Sequence, residues 1–144
     1  MKTDLEILKE VYVPGKNCVI SHVSAEMALG LANTITYLPG IETDIDVDGD
    51  KMVRLNHTKK ATLKISNSGW FRDLKGIPEW RAELGKEYYD AKIAPLDSVE
   101  EINRWVNDAT QGMIPEIIQA LDPRVAQLIV SCLYFKGEWR NPFS

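Results

Sequence analysis

A short acidic segment, DIDVDGDK, is the stretch of this sequence that most resembles a metal-binding loop. Its aspartates and its glycine match the first, third, fifth, sixth and seventh positions of an EF-hand calcium loop. These aspartates are Asp44, Asp46, Asp48 and Asp50. The twelfth position of such a loop needs a bidentate carboxylate, and this sequence has Leu55 there. We therefore expect a solvated acidic loop, with the four aspartates as weak candidates for calcium.

Adjacent Ser21 and His22 raise the question of nucleophilic catalysis. A hydrolase serine often lies in a G-x-S-x-G turn, which is absent here, and a serine before a helical pattern usually caps the helix. His22 and His57 lack the HExxH spacing of a zinc site, and the sequence has no GxGxxG or GK[ST] loop for a nucleotide. The sequence thus predicts no catalytic residues, no cofactor and no enzymatic activity.

Charge and hydropathy exclude two classes of partner. The 144 residues include 21 acidic and 17 basic side chains, a net charge of −4, so we expect no nucleic-acid surface. No stretch is apolar for long enough to cross a bilayer. The N-terminus lacks a signal-peptide h-region, so the sequence does not decide the compartment, and the cytoplasm is one candidate. Cys18 and Cys132 both lie in apolar runs, which favours reduced, buried thiols over a disulfide.

The first of the longer predicted helices follows Ser21 and Ser24, either of which can cap it. Its apolar residues recur at spacings of three and four, as on one face of a helix. They are Val23, Met27, Ala28 and Leu31. We expect this face to pack against a core.

A second helix is predicted over residues 78–89, with Pro78 in its first turn. Trp80, Leu84 and Tyr88 are four residues apart and fall on one stripe. We expect this stripe to face the core.

The third predicted helix, over residues 98–112, has the clearest start signal. Ser98 and Glu101 form an S-x-x-E capping box. Its apolar stripe consists of Ile102, Trp105, Val106 and Ala109. A further short helical piece is predicted over residues 115–120.

Three of the predicted strands lie after residue 60. Residues 61–66 alternate apolar and polar side chains, which indicates a half-buried strand. Residues 91–96 form a short extended segment, and residues 125–135 are almost unbroken apolar sequence, as in a strand covered on both faces. The resulting fold class is α+β.

Four motifs in order resemble the serpins. NCVISHVSAEMALGLA is similar to their N-x-V-I-S-P-x-S-x-x-x-A-L segment, and LKISNSGWFRD to their LKIANSIWFRD strand. EINRWVNDATQGMIPEII resembles their IN-x-WV-x-x-x-T-x-G-K-I helix, and LIVSCLYFKGEWRNPF resembles LVNALYFKGEWKNPF. The chain is thus identified as a member of the serpin family, serine protease inhibitors, with residues 1–144 forming the N-terminal portion of one serpin domain.

The resemblance implies an incomplete serpin-like fold, with the N-terminal helices and about three strands of the main sheet. It assigns Ser21 and Ser24 to the "shutter", which controls opening of the sheet, and Trp139 to the "breach", where the reactive loop begins to insert. Ser131 stands where the family has the shutter asparagine, and its shorter side chain cannot offer both an amide donor and a carbonyl.

The resemblance also implies a limit on function. A serpin inhibits when a protease cleaves its reactive-centre loop and the loop inserts into the main sheet. We expect that loop to be absent from these residues, as in a truncated fragment, so that a serine or cysteine protease is a partner only if a complementary C-terminal serpin polypeptide supplies it. The alternative is a non-inhibitory binding or structural module, linked to calcium through Asp44 to Asp50.

Overall fold

The computed structural model describes residue 9 and residues 12–15, 21–36 and 61–138. The elements within these residues are α1 (His22–Thr36), β1 (Ala61–Phe71), α2 (Glu79–Tyr89), β2 (Ala91–Pro95), α3 (Val99–Ala109) and β3 (Gln127–Gly137). The predicted α+β class is confirmed. None of these helices has the length and hydropathy that crossing a membrane requires.

β1 lies at the centre of the sheet, between β2 and β3. It pairs in parallel with β2, where Trp70 is opposite Ala94. It pairs antiparallel with β3, where Asn67 is opposite Ser131. α2 connects the two parallel strands, because such a pair needs a crossover rather than a tight turn. β2 and β3 are therefore the two edge strands of the described sheet.

The two faces of the sheet are covered by different helices, because successive side chains of a strand point to opposite faces. On one face Phe71 packs in a cluster with Leu31 of α1 and Tyr89 of α2. On the other face Trp70 packs with Ile102 of α3. The alternation along β1 thus separates two layers of core.

α1 begins directly after Ser21, which is one of the two caps that the sequence offered. The Ser21 hydroxyl oxygen accepts a hydrogen bond from the Ser24 backbone N–H at 3.2 Å, which satisfies one donor at the helix start. Met27 and Leu31 are buried, in agreement with the predicted stripe, whereas Val23 is exposed. The apolar part of the buried face of α1 therefore begins in its second turn.

α2 buries a different side from the one predicted. Trp80 and Tyr88 are 56% and 59% exposed, so the two aromatic members of the predicted stripe are turned toward solvent, and Leu84 is half-buried. The buried positions are Gly85 and Tyr89. A Cβ at residue 85 would lie 3.2 Å from side-chain carbons of α1, so glycine there permits the close approach of the two helices. A small residue, and not the aromatic stripe, marks the packed side.

α3 is capped by Ser98, as predicted: its Oγ accepts a hydrogen bond from the Glu101 backbone N–H at 3.0 Å. Ile102 and Val106 are fully buried. The other half of the predicted capping box is replaced by a tertiary contact, because the Glu101 carboxylate accepts a hydrogen bond from Lys92 of β2 at 2.8 Å. The start of α3 is thus tied to the sheet.

Replacing Ser98 by alanine should lower the free energy of unfolding by about 1 kcal/mol, because the Glu101 N–H loses its acceptor. Urea unfolding followed by circular dichroism measures this change. Ser98→Asp retains an acceptor and is the matched control, so it should stay within about 0.5 kcal/mol of the wild type. Equal losses in both variants would contradict a capping role.

The connection between α3 and β3 lacks the short helix predicted over residues 115–120. Asn103 of α3 holds this connection through its side-chain amide. Its Nδ2 donates to the Ile118 carbonyl at 2.8 Å, and its Oδ1 accepts from the N–H groups of Ile117 and Ile118 at 3.0 and 3.3 Å. Packing against α3 therefore overrides the local helical pattern.

β3 is confirmed as a strand, displaced toward the C-terminus relative to the prediction over residues 125–135. Cys132 is a buried free thiol, as predicted, and burial raises its pKa. Leu133 and Phe135 are exposed, Phe135 to 65%, so the predicted cover on both faces is wrong for this end among the described residues. The other cysteine, Cys18, lies outside them.

Candidate functional site

Three polar side chains lie on the face of the sheet that α1 covers: Ser24, Asn67 and Ser131, which we call the buried polar set. Asn67 shares this face with Phe71, and it lies opposite Ser131 in the β1–β3 register, so their Cβ atoms are about 5 Å apart. Ser24 lies two turns before Leu31 on the sheet-facing stripe of α1. The set joins one helix to two strands.

Each member of the buried polar set has a polar atom without a hydrogen-bond partner among the described residues. These atoms are Ser24 Oγ, Asn67 Oδ1 and Ser131 Oγ, all shielded from solvent. Asn67 Nδ2 donates to the Tyr89 carbonyl at 2.9 Å, which orients the amide and leaves its oxygen free. Because an unpaired buried polar group costs about 1–3 kcal/mol, the set can gain stability from a hydrogen-bond donor.

Replacing Ser131 by asparagine should raise the free energy of unfolding by about 1 kcal/mol, because an amide at this position can donate to Asn67 Oδ1. Urea unfolding of the two proteins measures the difference. Ser131→Ala is the control: it removes an unpaired hydroxyl but leaves Asn67 Oδ1 without a donor. Any gain of Ser131→Ala should therefore persist when Asn67 is also replaced by alanine, whereas the gain of Ser131→Asn should be lost. Lower stability of Ser131→Asn would contradict a polar contact across this strand pair.

The opposite face of the sheet is closed by α3 over Trp70. The rings of Trp70 and Trp105 meet edge to face, with centroids 6.4 Å apart and planes at 78°. The Trp70 indole N–H donates to Ser68 Oγ at 2.9 Å, so the polar edge of the buried ring is satisfied. α3 therefore covers this face through an aromatic contact of defined orientation.

Replacing Asn103 by alanine should destabilise the chain by about 1–2 kcal/mol, because its amide holds three backbone groups of the connection that follows α3. Urea unfolding gives the magnitude, and limited proteolysis should cut earlier within residues 112–122. Arg104→Ala, on the exposed side of the same helix, is the control. Unchanged proteolysis in Asn103→Ala would contradict the anchoring role.

An open groove of about 430 Å³ lies between the end of α3 and the end of β3. Most of its lining is apolar, with hydroxyl groups and one ammonium at the margins. The lining residues are Thr110, Met113, Ile114, Leu133, Tyr134, Phe135 and Lys136. The groove continues the exposed apolar surface of β3.

The structure places some of the sequence-predicted residues and leaves others outside its description. Ser24 and Ser131 belong to the buried polar set, whereas Ser21 is the cap of α1. Trp139 and the acidic segment of Asp44, Asp46, Asp48 and Asp50 lie outside the described residues. Across residues 21–36 and 61–138 there is no group of three metal-binding side chains. The roles in sheet opening stay predictions.

Asn67 is the member of the buried polar set that the sequence reasoning missed. It stands in the motif LKISNSGWFRD, in the half where strand alternation gives way to continuous burial. A polar side chain inside a fully buried strand needs a partner, and that was the available signal.

Comparison with known families decides the identity of this architecture. The family model described as Serpin (serine protease inhibitor) matches residues 44–144, which is more than half of the chain. This chain belongs to the serpin family. The resemblance of its four motifs is thereby confirmed, and the described helices and three-stranded sheet are part of an incomplete serpin-like fold.

Individual serpins match most of this chain but a smaller share of their own length. A serine protease inhibitor of Mus musculus is 31% identical, over 90% of this chain and 37% of the relative. Corticosteroid-binding globulin of Pongo abelii is 27% identical, over 90% and 38%. The crystal structure of the thermophilic serpin tengpin in its latent state superposes with a TM-score of 0.77 at 28% identity, over 96% of this chain and 43% of tengpin. The chain thus spans less than half the length of these serpins.

Proposed function

We propose that residues 1–144 are the N-terminal portion of a serpin domain that takes part in inhibiting serine-type endopeptidases. The reactive-centre loop would be supplied by a C-terminal portion, and without it these residues would not inhibit. Membership of the family and a relative named as a serine protease inhibitor support this proposal. The partners would be a complementary C-terminal serpin polypeptide and, through it, a serine or cysteine protease.

The outer edge of β3 is the observation that carries the proposal. β3 is 11 residues long and pairs with β1 on one side, and it is the last strand of the described sheet on the other. A long strand edge readily pairs with another strand, because its backbone groups need partners. A strand added there would also cover Leu133 and Phe135, whose apolar side chains are exposed.

The experiment compares the 144-residue chain alone with the chain co-expressed with the polypeptide encoded downstream of the Ser144 codon. Each preparation is incubated with a trypsin-like and a subtilisin-like serine protease and analysed by denaturing electrophoresis. We expect an SDS-stable complex in the co-expressed sample and none with the chain alone. A protease with a blocked catalytic serine is the control and should give no complex.

Two results would overturn parts of this proposal. A stable complex formed by the chain alone would show that no C-terminal portion is needed. Co-purification of the two polypeptides without any complex, across both proteases, would argue against inhibition and in favour of a non-inhibitory role.

A non-inhibitory binding module is the second candidate function. One relative that matches 90% of this chain, corticosteroid-binding globulin, is named for binding and not for inhibition. Titration with a corticosteroid, and separately with calcium for the acidic segment, is followed by tryptophan fluorescence. A stoichiometric response at micromolar concentration would favour this candidate, and a flat titration would argue against it.

A further inference from the structure

Lys92 of β2 lies at the start of α3 and contacts two residues at once. Its Nζ is 2.8 Å from Glu101 Oε1 of α3 and 4.8 Å from the centroid of the Trp70 ring of β1. Trp70 is completely buried in the cluster that includes Ile102 of α3. We call Lys92, Glu101 and Trp70 the ammonium clamp. A single positive charge therefore joins two strands to the first turns of the helix that covers them.

The other contacts of α3 with the sheet are of a different kind. Ile102, Val106 and Ala109 are buried and apolar, so they favour contact without fixing the position of the helix along the sheet. Beyond Ala109 the backbone reverses through Gln111 and Gly112, which have φ angles of 54° and 82°. The ammonium clamp is thus a second directional contact between α3 and the sheet, beside the edge-to-face contact of Trp105 with Trp70, and the one that carries charge at the start of the helix.

The hydrogen-bond partner of the Glu101 carboxylate supports a role for Lys92 in positioning α3. Its backbone N–H already bonds the Ser98 cap, and its carboxylate could complete the capping box by turning back to Ser98. It instead accepts the hydrogen bond from Lys92, which lowers the pKa of Glu101. The carboxylate therefore serves the contact between elements and not the helix end.

We propose that Lys92 is a positioning residue that sets how readily the N-terminal half of α3 separates from the sheet, and that dissolved salt weakens its hold. The Lys92 and Glu101 side chains are 38% and 43% exposed, so ions reach the pair. The contact with the buried Trp70 ring depends less on salt, because one side of it is shielded from solvent. The inference concerns α3 and is independent of protease inhibition.

Hydrogen exchange of the full chain, read by mass spectrometry, tests the clamp. In Lys92→Met the amides of residues 102–106, which bond the carbonyls of the first turn of α3, should exchange about five-fold faster, the combined effect of a part-exposed ion pair and a cation–π contact. Amides of β1 and α1 should be unchanged. Lys86→Met, which removes the same charge from the exposed side of α2, is the matched control and should leave α3 unchanged.

Two further measurements separate positioning from general stability. In 1 M salt the wild-type α3 should exchange about two-fold faster, whereas Lys92→Met should respond much less, because its ion pair is already gone. Lys92→Arg keeps a cation over the ring and should restore most of the protection.

Four outcomes would overturn the proposal. The first is equal α3 exchange in the wild type and Lys92→Met, and the second is equal acceleration of α1, β1 and α3 in Lys92→Met. The third is failure of Lys92→Arg to restore protection, and the fourth is a wild-type chain whose α3 amides are unprotected. Each would show that the clamp does not govern the contact of α3 with the sheet.

Discussion

Replacing Trp70 by alanine should lower the free energy of unfolding by about 3–5 kcal/mol, the cost of emptying a large buried aromatic site. The ring is fully buried, packs edge to face on Trp105, and lies beneath Ile102 of α3. Its removal opens a cavity between strand and helix, and Ser68 Oγ loses the indole N–H that it accepts from. Urea unfolding followed by far-ultraviolet circular dichroism measures the change.

Two variants sharpen this prediction. Trp80→Ala is the matched control: Trp80 is 56% exposed on α2, so its loss should cost less than about 1 kcal/mol. Trp70→Phe keeps an aromatic ring but removes the hydrogen bond to Ser68, and we expect an intermediate loss of about 1–2 kcal/mol. A small effect of Trp70→Ala, comparable to that of Trp80→Ala, would contradict the placement of α3 over this ring.

The contrast between Trp70 and Trp80 shows what local sequence patterns can predict. Strand alternation and the Ser98 cap were sufficient to predict the first half of β1 and the start of α3, because both depend on neighbours close in sequence. The buried side of α2 depends on which partner packs against it, and that partner is α1, far away in the chain. The pattern with the larger side chains was therefore the wrong guide, and Gly85 carried the relevant information.

The candidate site divides in the same way. Ser24 and Ser131 were predicted from the resemblance to serpins, and the structure places both with buried, unpaired hydroxyl oxygens. Asn67 joins them through the β1–β3 register, which pairs residues 64 positions apart that no local period relates. The diversion of Glu101 from its cap to Lys92 is likewise a tertiary choice. Local sequence patterns predicted which polar residues could form contacts, and the tertiary fold determined which of these residues lie next to one another.

Replacing Leu31 by alanine should cost about 2–5 kcal/mol, because this side chain is completely buried where α1 meets α2. Its Cδ1 lies 3.2 Å from the position that a Cβ on Gly85 would occupy, so the helices touch with little room between them. Urea unfolding measures the loss. Leu29→Ala is the control on the same helix: Leu29 is 39% exposed and should cost less than about 1 kcal/mol.

A compensating substitution at Gly85 tests whether the loss at Leu31 arises from this contact between helices. In the wild type, Gly85→Ala should be close to neutral, because a gain of about 1 kcal/mol in helix propensity is offset by overpacking against Leu31 and Ile35. In the Leu31→Ala background part of that crowding is gone, so the same change should recover about 1 kcal/mol. If the changes in unfolding free energy of Leu31→Ala and Gly85→Ala are additive, the cavity left by Leu31 does not adjoin residue 85, which would contradict the close approach of α1 and α2. Non-additive recovery would show that the glycine, and not the aromatic stripe of α2, defines how the two helices meet.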